Sequence, residues 1–138
     1  MPDTTREHFQ SFGAAYLPGH VGVEIVTVSR ELVASRMPVG KRVMAPNGYL
    51  HAASVVALAD TSCGYGCVAS LPEGAKGFTT IELKASFLGT ALDGAILCRA
   101  TPLHLGRTTQ VWDAVVSVEG SGARIATFRC TQMVLWPK

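Results

Sequence analysis

Residues 51–70 read HAASVVALADTSCGYGCVAS, and they hold the one long run of small and apolar side chains in the chain. A helix built from this run is hydrophobic on every side, so the rest of the molecule must cover it. The turn formers Pro72, Gly74 and Gly77 in LPEGAKG stop it. Within it stands Asp60, with no basic residue in the turn before or after. A carboxylate among apolar side chains is costly to bury unless a partner or a chemical step uses it.

The other segments are mostly extended. A short amphipathic helix is expected over 4–12 (TTREHFQSF), ending near Gly13. VGVEIVTVSR (21–30) and ELVASRMPVG (31–40) are β-branched and partly alternating, and predict an antiparallel pair. A loop over 41–50 carries Pro46 and Gly48. After the long helix come four strand segments, 78–89, 94–106, 107–120 and 123–136, with LDG and EGSG as turns. In 78–89 the alternation puts Ile81, Leu83, Ala85 and Phe87 on one face and Thr80, Glu82, Lys84 and Ser86 on the other. One helix cannot cover both faces of six antiparallel strands. An α+β fold is therefore expected, a curved antiparallel sheet of about six strands around one long central helix. The remaining edges and faces would be buried against another subunit.

Length and charge narrow the classes. The 138 residues suit a single domain over 1–138 with a real core. A net charge of +2 without a basic block argues against nucleic acid. Asp60 and several hydroxyls interrupt the apolar run, which argues against a membrane span. Cys63, Cys67, Cys98 and Cys130 lack the spacing of a zinc set, so no metal is expected. The start MPDTTREHFQSF has no signal-peptide pattern, and the thiols are read as reduced in a cytoplasmic protein.

A structural Asp60 would bond a neighbouring backbone group or a hydroxyl such as Thr61. A chemical Asp60 would be a general base or nucleophile made reactive by its apolar setting. His51 is the evident second group, standing where free backbone N–H groups and the positive end of the helix dipole can hold an anion. Nine residues of helix separate the two side chains by roughly 13 Å along the axis and place them on opposite sides. Within one chain they form no dyad. A catalytic reading therefore requires two copies with composite sites.

The helix opening with His51 and two small residues, followed nine residues later by an acid, resembles the hotdog-fold acyl-CoA thioesterases. Within them it is most similar to the phenylacetate-pathway and 4-hydroxybenzoyl-CoA thioesterase branch. HLGRTTQVW (104–112) resembles that family's strand-opening segment, so the likeness spans most of the chain. The resemblance implies that Asp60 acts on the thioester carbon as nucleophile or general base. It implies that the Ala52 N–H holds the carbonyl oxygen and that His51 polarises or orients that carbonyl. The family's usual His-Gly-Gly is here His51-Ala52-Ala53, and its amide six residues before the His falls on Ala45, with Asn47 two positions later. The Ser or Thr that Glu-type members carry one turn after the acid is Gly64 here. The polar residue early in the next strand matches Thr80, with Thr79 second. Coenzyme A, part of the substrate and not a separate cofactor, would have its phosphates met by Arg107, with His104 and Thr108 beside it. The implied assembly is a homodimer with shared sites, and a dimer of dimers beyond it.

Two functions from different classes fit these residues. One is hydrolysis of an acyl-CoA or carrier-protein thioester; the other is a non-catalytic acyl-CoA-binding module acting as sensor or scaffold. An acid at position 60, rather than Ala or Asn, favours the enzyme. A hotdog dehydratase places its His and acid differently.

Overall fold

Thr5 begins the part of the chain that the computed structural model describes, residues 5–138. The expected helix start at Thr4 lies outside it. The Thr5 hydroxyl accepts the His8 N–H at 3.2 Å and caps α1 (Arg6–Phe12), which ends at Gly13. Phe9 of α1 is buried and stacks on Tyr65 of the long helix, 4.8 Å between ring centroids. A second short helix, α2 (Leu17–Val21), was not expected. Pro18 lies in its first turn and Gly22 closes it with φ +85°. Five residues containing Pro and Gly read in sequence as a turn.

Then come β1 (Glu24–Val28) and β2 (Val33–Pro38), antiparallel as expected but shorter at both ends. The Ser29 hydroxyl accepts the N–H groups of Glu31 and Leu32 and so takes these residues for the turn between them. The loop after β2 is tightly folded. A 3-10 turn (Lys41–Val43) leads into a β-turn closed by Gly48 N–H to the Ala45 carbonyl at 3.0 Å, with Pro46 at its second position. The long helix, α3, runs Ala52–Ala69, and His51 is its N-cap. The sheet is completed by β3 (Gly77–Phe87), β4 (Ala95–Leu105), β5 (Thr109–Val118) and β6 (Arg124–Leu135). All pairings are antiparallel, in the order β1-β2-β4-β5-β6-β3, so β1 and β3 are the edges.

α3 packs against all six strands. Two devices fix its position. Gly66 leaves room for Trp112, since a Cβ there would come within 2.4 Å of the indole ring. Ser62 donates to the Leu58 carbonyl at 2.8 Å and meets Ser35 of β2 at 2.6 Å, both hydroxyls buried. Because Ser62 spends its proton on the helix, Ser35 is the donor of that second bond. The four cysteines are free and buried, as expected. The helix is long and apolar enough to cross a membrane by length and composition. Its burial under the sheet accounts for that apolarity.

The cover is incomplete on one side. Ala53, Val56, Ala57, Asp60 and Thr61 are exposed or half-buried, a stripe of small residues facing away from the sheet. The alternation of β3 is also broken. A bulge lies between Thr80 and Glu82, so Thr80 pairs with buried Gln132 while Glu82 pairs with Thr131. Leu83, Ala85 and Phe87 share one face as the alternation predicts, opposite inward-pointing Cys130, Phe128 and Ala126, whereas Ile81, expected with them, falls in the bulge. Thr80, expected beside Glu82, Lys84 and Ser86, is turned by the bulge to the helix side.

Candidate active site

At the start of α3 the backbone N–H groups and the His51 ring stand together. Of its first N–H groups, that of Ala53 is taken by His51 Nδ1 at 2.9 Å, and those of Ser54 and Val55 by the His51 carbonyl at 3.0 and 3.4 Å. The Ala52 N–H is the one left over, on an exposed residue. Since His51 Nδ1 accepts, the proton of the neutral ring sits on Nε2 and points outward. Two donors, Ala52 N–H and His51 Nε2–H, thus stand at the positive end of an 18-residue helix. The Ser54 hydroxyl donates to the Val43 carbonyl at 2.7 Å and the His51 N–H to the same carbonyl at 3.1 Å, which anchors this end.

Asn47 stands in the preceding turn. Its side-chain oxygen accepts the Tyr49 N–H at 3.1 Å, and its amide N–H groups remain to meet a ligand. Ala45, the position of the family's amide, uses its N–H on the Tyr49 carbonyl at 2.7 Å.

Asp60 lies more than two turns further on. Its Oδ1 is buried and has no hydrogen-bond partner, so the backbone or Thr61 bond of a structural aspartate is not made at this oxygen. Burial raises its pKa above the ordinary value of 3.8. One turn on, at Gly64, the ring of Phe78 fills the space: a Cβ there would sit 3.1 Å from Phe78 Cζ. Thr80, two residues along β3 on the same face, donates to Gln132 Oε1 at 2.6 Å, which leaves its lone pairs free to accept. Thr79 pairs with Met133 and faces the other way.

The sequence offered no role for Gln132, yet it is fully buried and holds Thr80 in place. Its signal is a glutamine at an inward position of an otherwise apolar alternation, Phe128, Cys130, Gln132, Val134.

Three of the buried thiols are held protonated by their surroundings. The Cys63 thiol is hydrogen-bonded with that of Cys130 and is buried, which together hold it well above the usual thiol range. Burial pushes Cys67 up to about 12 and Cys98 up to about 11. A protonated, buried thiol attacks nothing.

The third group lies in the β4–β5 turn. Arg107 is exposed, and no carboxylate pairs with it among the described residues. Its guanidinium carbon lies 4.2 Å over the ring of Trp136. The Thr108 carbonyl accepts the Val134 N–H at 2.9 Å. His104 folds over Gly106, where a Cβ would come within 2.6 Å of its Nε2. One chain therefore groups its candidates in three places: His51, Ala52 and Asn47; Asp60 and Thr80; and Arg107, His104 and Thr108. The first two are separated by roughly 13 Å of helix axis. His51 precedes the helical ladder, with φ −69° and ψ 134°, so its side-chain direction follows from its cap bond and not from the helical period.

The helix start and the acid with a bare buried oxygen stand on the same helix, α3. Residues 47–124, which hold both features, match the model of the thioesterase superfamily. This chain belongs to that superfamily. Among superfamily proteins, it is 30% identical over 111 residues to the 1,4-dihydroxy-2-naphthoyl-CoA hydrolase of Listeria monocytogenes, covering 80% of this chain and 89% of that one. It is 30% identical over 131 residues to the proofreading thioesterase EntH of Cronobacter turicensis, covering 95% and 94%. The crystal structure of a thioesterase from Haemophilus influenzae superposes with a TM-score of 0.90 at 30% identity, over 97% of this chain and 92% of that one. The fold is the α+β hotdog fold of that superfamily, and the superfamily's chemistry is thioester hydrolysis.

Proposed function

We propose that this chain hydrolyses acyl-CoA thioesters as a homodimer, each site taking Asp60 from one subunit and His51 with Ala52 from the other. The observation that carries the reading is Asp60 itself, a buried carboxylate oxygen with no hydrogen-bond partner among the described residues and a raised pKa. A base poised closer to neutrality transfers protons more effectively than an ordinary carboxylate. The thioester oxygen would lie between Ala52 N–H and His51 Nε2–H, where these donors meet the negative charge that develops on it. Asp60 would then attack the carbonyl carbon, expelling the CoA thiolate and leaving a mixed anhydride that water opens. Alternatively it would take the proton of an attacking water. Either way one water is consumed, and a carboxylic acid and CoA thiol are formed.

Asn47 supplies an amide N–H beside the oxyanion site, and the Thr80 lone pair can accept from the attacking water. Arg107 would meet the CoA phosphates, with His104 and Thr108 at the same turn. Within the superfamily we propose the phenylacetate-pathway and 4-hydroxybenzoyl-CoA thioesterase branch, on the pattern His51-Ala52-Ala53 followed by Asp60. One relative's name, 1,4-dihydroxy-2-naphthoyl-CoA hydrolase, makes aryl-CoA esters the first substrates to try. We place the protein in the cytoplasm, where its four free thiols would stay reduced.

The test is free-thiol release from a panel of aromatic and aliphatic acyl-CoAs, with carrier-protein thioesters beside them. Wild type should turn over at least one CoA ester. Asp60→Asn should lose about 10²-fold or more of kcat while retaining its fold and its CoA affinity. Undiminished turnover in Asp60→Asn removes Asp60 from the chemistry.

A further inference from the structure

Trp136 stands one residue beyond the end of β6 and touches Arg107 twice. Its indole N–H donates to the Arg107 carbonyl at 3.0 Å, and its ring lies 4.2 Å from the guanidinium carbon. The ring is itself held in place. Gly74, in the turn after α3 with φ +86°, runs beside it, where a Cβ would stand 3.5 Å from Trp136 Cζ3. The Lys76 N–H bonds the Leu135 carbonyl at 2.8 Å, so the same turn is tied to the residue before Trp136. Three segments distant in sequence thus meet at one indole: the α3–β3 turn, the β4–β5 turn and the C-terminal end.

An arginine alone on an exposed turn samples many rotamers and gives up that freedom on meeting a ligand. Stacking on an indole uses only the face of the guanidinium. Its N–H donors lie in the plane and stay available for a phosphate. We infer that Trp136 is a positioning residue, which fixes the β4–β5 turn through the Arg107 carbonyl and presents the Arg107 donors to the phosphates at the nucleotide end of the substrate. This rests on the acyl-CoA reading above. Arg107 makes the contact, and Trp136 acts through it.

The test compares full-length wild type with Trp136→Phe, Trp136→Leu, Arg107→Ala, Arg107→Lys and the double variant Trp136→Leu/Arg107→Ala. Each is assayed on an acyl-CoA and on the same acyl group carried by N-acetylcysteamine, which lacks the nucleotide. The affinity for CoA itself is measured calorimetrically without turnover. Trp136→Leu should raise KM for acyl-CoA and Kd for CoA by at least about threefold. Its kcat should stay within about twofold, and its kinetics on the truncated thioester should not change. Trp136→Phe, keeping a ring face without the N–H, should fall between, and serves if the leucine variant does not fold. Arg107→Lys, which keeps the charge but not the planar fork, should resemble Arg107→Ala. In the Arg107→Ala background the Trp136 change should add less than twofold.

Equal KM increases on both thioesters, or an undiminished Trp136 effect in the Arg107→Ala background, would reduce Trp136 to packing and overturn the inference. If wild type hydrolyses neither thioester yet binds CoA with this sensitivity to Trp136, the hydrolytic proposal fails and the positioning role stands. If it hydrolyses both and CoA affinity ignores Trp136, the reverse holds. Absence of both hydrolysis and CoA binding overturns both.

Discussion

Asp60 works against the stability of the fold that carries it. Its pKa is raised by burial, so the folded chain holds this proton more tightly than the unfolded chain does. As pH rises through the ordinary carboxylate value of 3.8 toward the raised one, the unfolded state loses its proton first, and folding is progressively disfavoured. Above the raised value the cost is constant. Asp60→Asn carries no such penalty. It should therefore be more stable than wild type at neutral pH, with a higher Tm. The advantage should shrink as pH falls through the carboxylate range and vanish below it. Thermal melts of both proteins from pH 3 to 8 decide this, and a gap that does not depend on pH would mean that burial of the carboxylate is not its source. The same residue was the most legible in the sequence, because a charge inside an apolar run is a departure that composition cannot hide. Gln132 was not legible. A neutral amide in a strand is unremarkable until its neighbours show that it points inward and holds Thr80.

At the scale of elements, two glycines of α3 look alike in sequence and differ in what they face. Gly66 lies against Trp112, a fully buried ring whose Nε1 is fixed by Gln110 Oε1 at 2.8 Å. Gln110 is in turn held by the Ser70 carbonyl just past the helix, at 3.1 Å, so the ring cannot yield. Gly66→Ala should cost about 2 kcal/mol or more, despite the better helix propensity of alanine. Gly64 meets only the edge of Phe78, which is half-buried and needs to move a few tenths of an ångström. There the propensity gain of about 1 kcal/mol offsets the strain, and Gly64→Ala should stay within about 1 kcal/mol of wild type. Urea unfolding of the pair checks both; similar losses would mean that Trp112 moves as easily as Phe78. The long helix, the order of the six strands along the chain and the shared face of Leu83, Ala85 and Phe87 were legible because period and turn residues are local properties. The bulge that reverses Thr80 and the five residues of α2 were not. A bulge is decided by the partner strand, and a Pro-Gly pair fits a turn as well as a short helix.

At the scale of the whole molecule, the β3 edge of the sheet is open. β3 is an 11-residue edge strand whose Ile81, Leu83 and Phe87 are 53%, 44% and 47% exposed, and the stripe of α3 that bears Asp60 is uncovered as well. Long apolar edges are normally paired or blunted; the bulge, Glu82 and Lys84 blunt this one in part, but among the described residues it has neither a proline nor a covering element. The wild type should therefore run in light scattering at no less than twice the 14.6 kDa chain mass. Leu83→Lys should shift it toward monomer and lose activity with the loss of the partner; a fully active monomer would place the whole site within one chain. A sharper test uses the separation of His51 from Asp60 along α3. If each site takes Asp60 from one subunit and His51 with Ala52 from the other, a hybrid of Asp60→Asn and His51→Ala subunits gathers both lesions into one site and leaves the second intact. At equal mixing about half of the dimers are hybrids with one of two sites working, so recovery approaches a quarter of wild-type activity by this counting. A site built within a single chain recovers nothing, since every subunit then carries one lesion. Each variant must be nearly inactive alone, and exchange must be shown with mass-tagged subunits. Proven exchange without recovered activity would refute the shared site, and with it the explanation of why α3 buries a carboxylate oxygen that has no partner among the described residues.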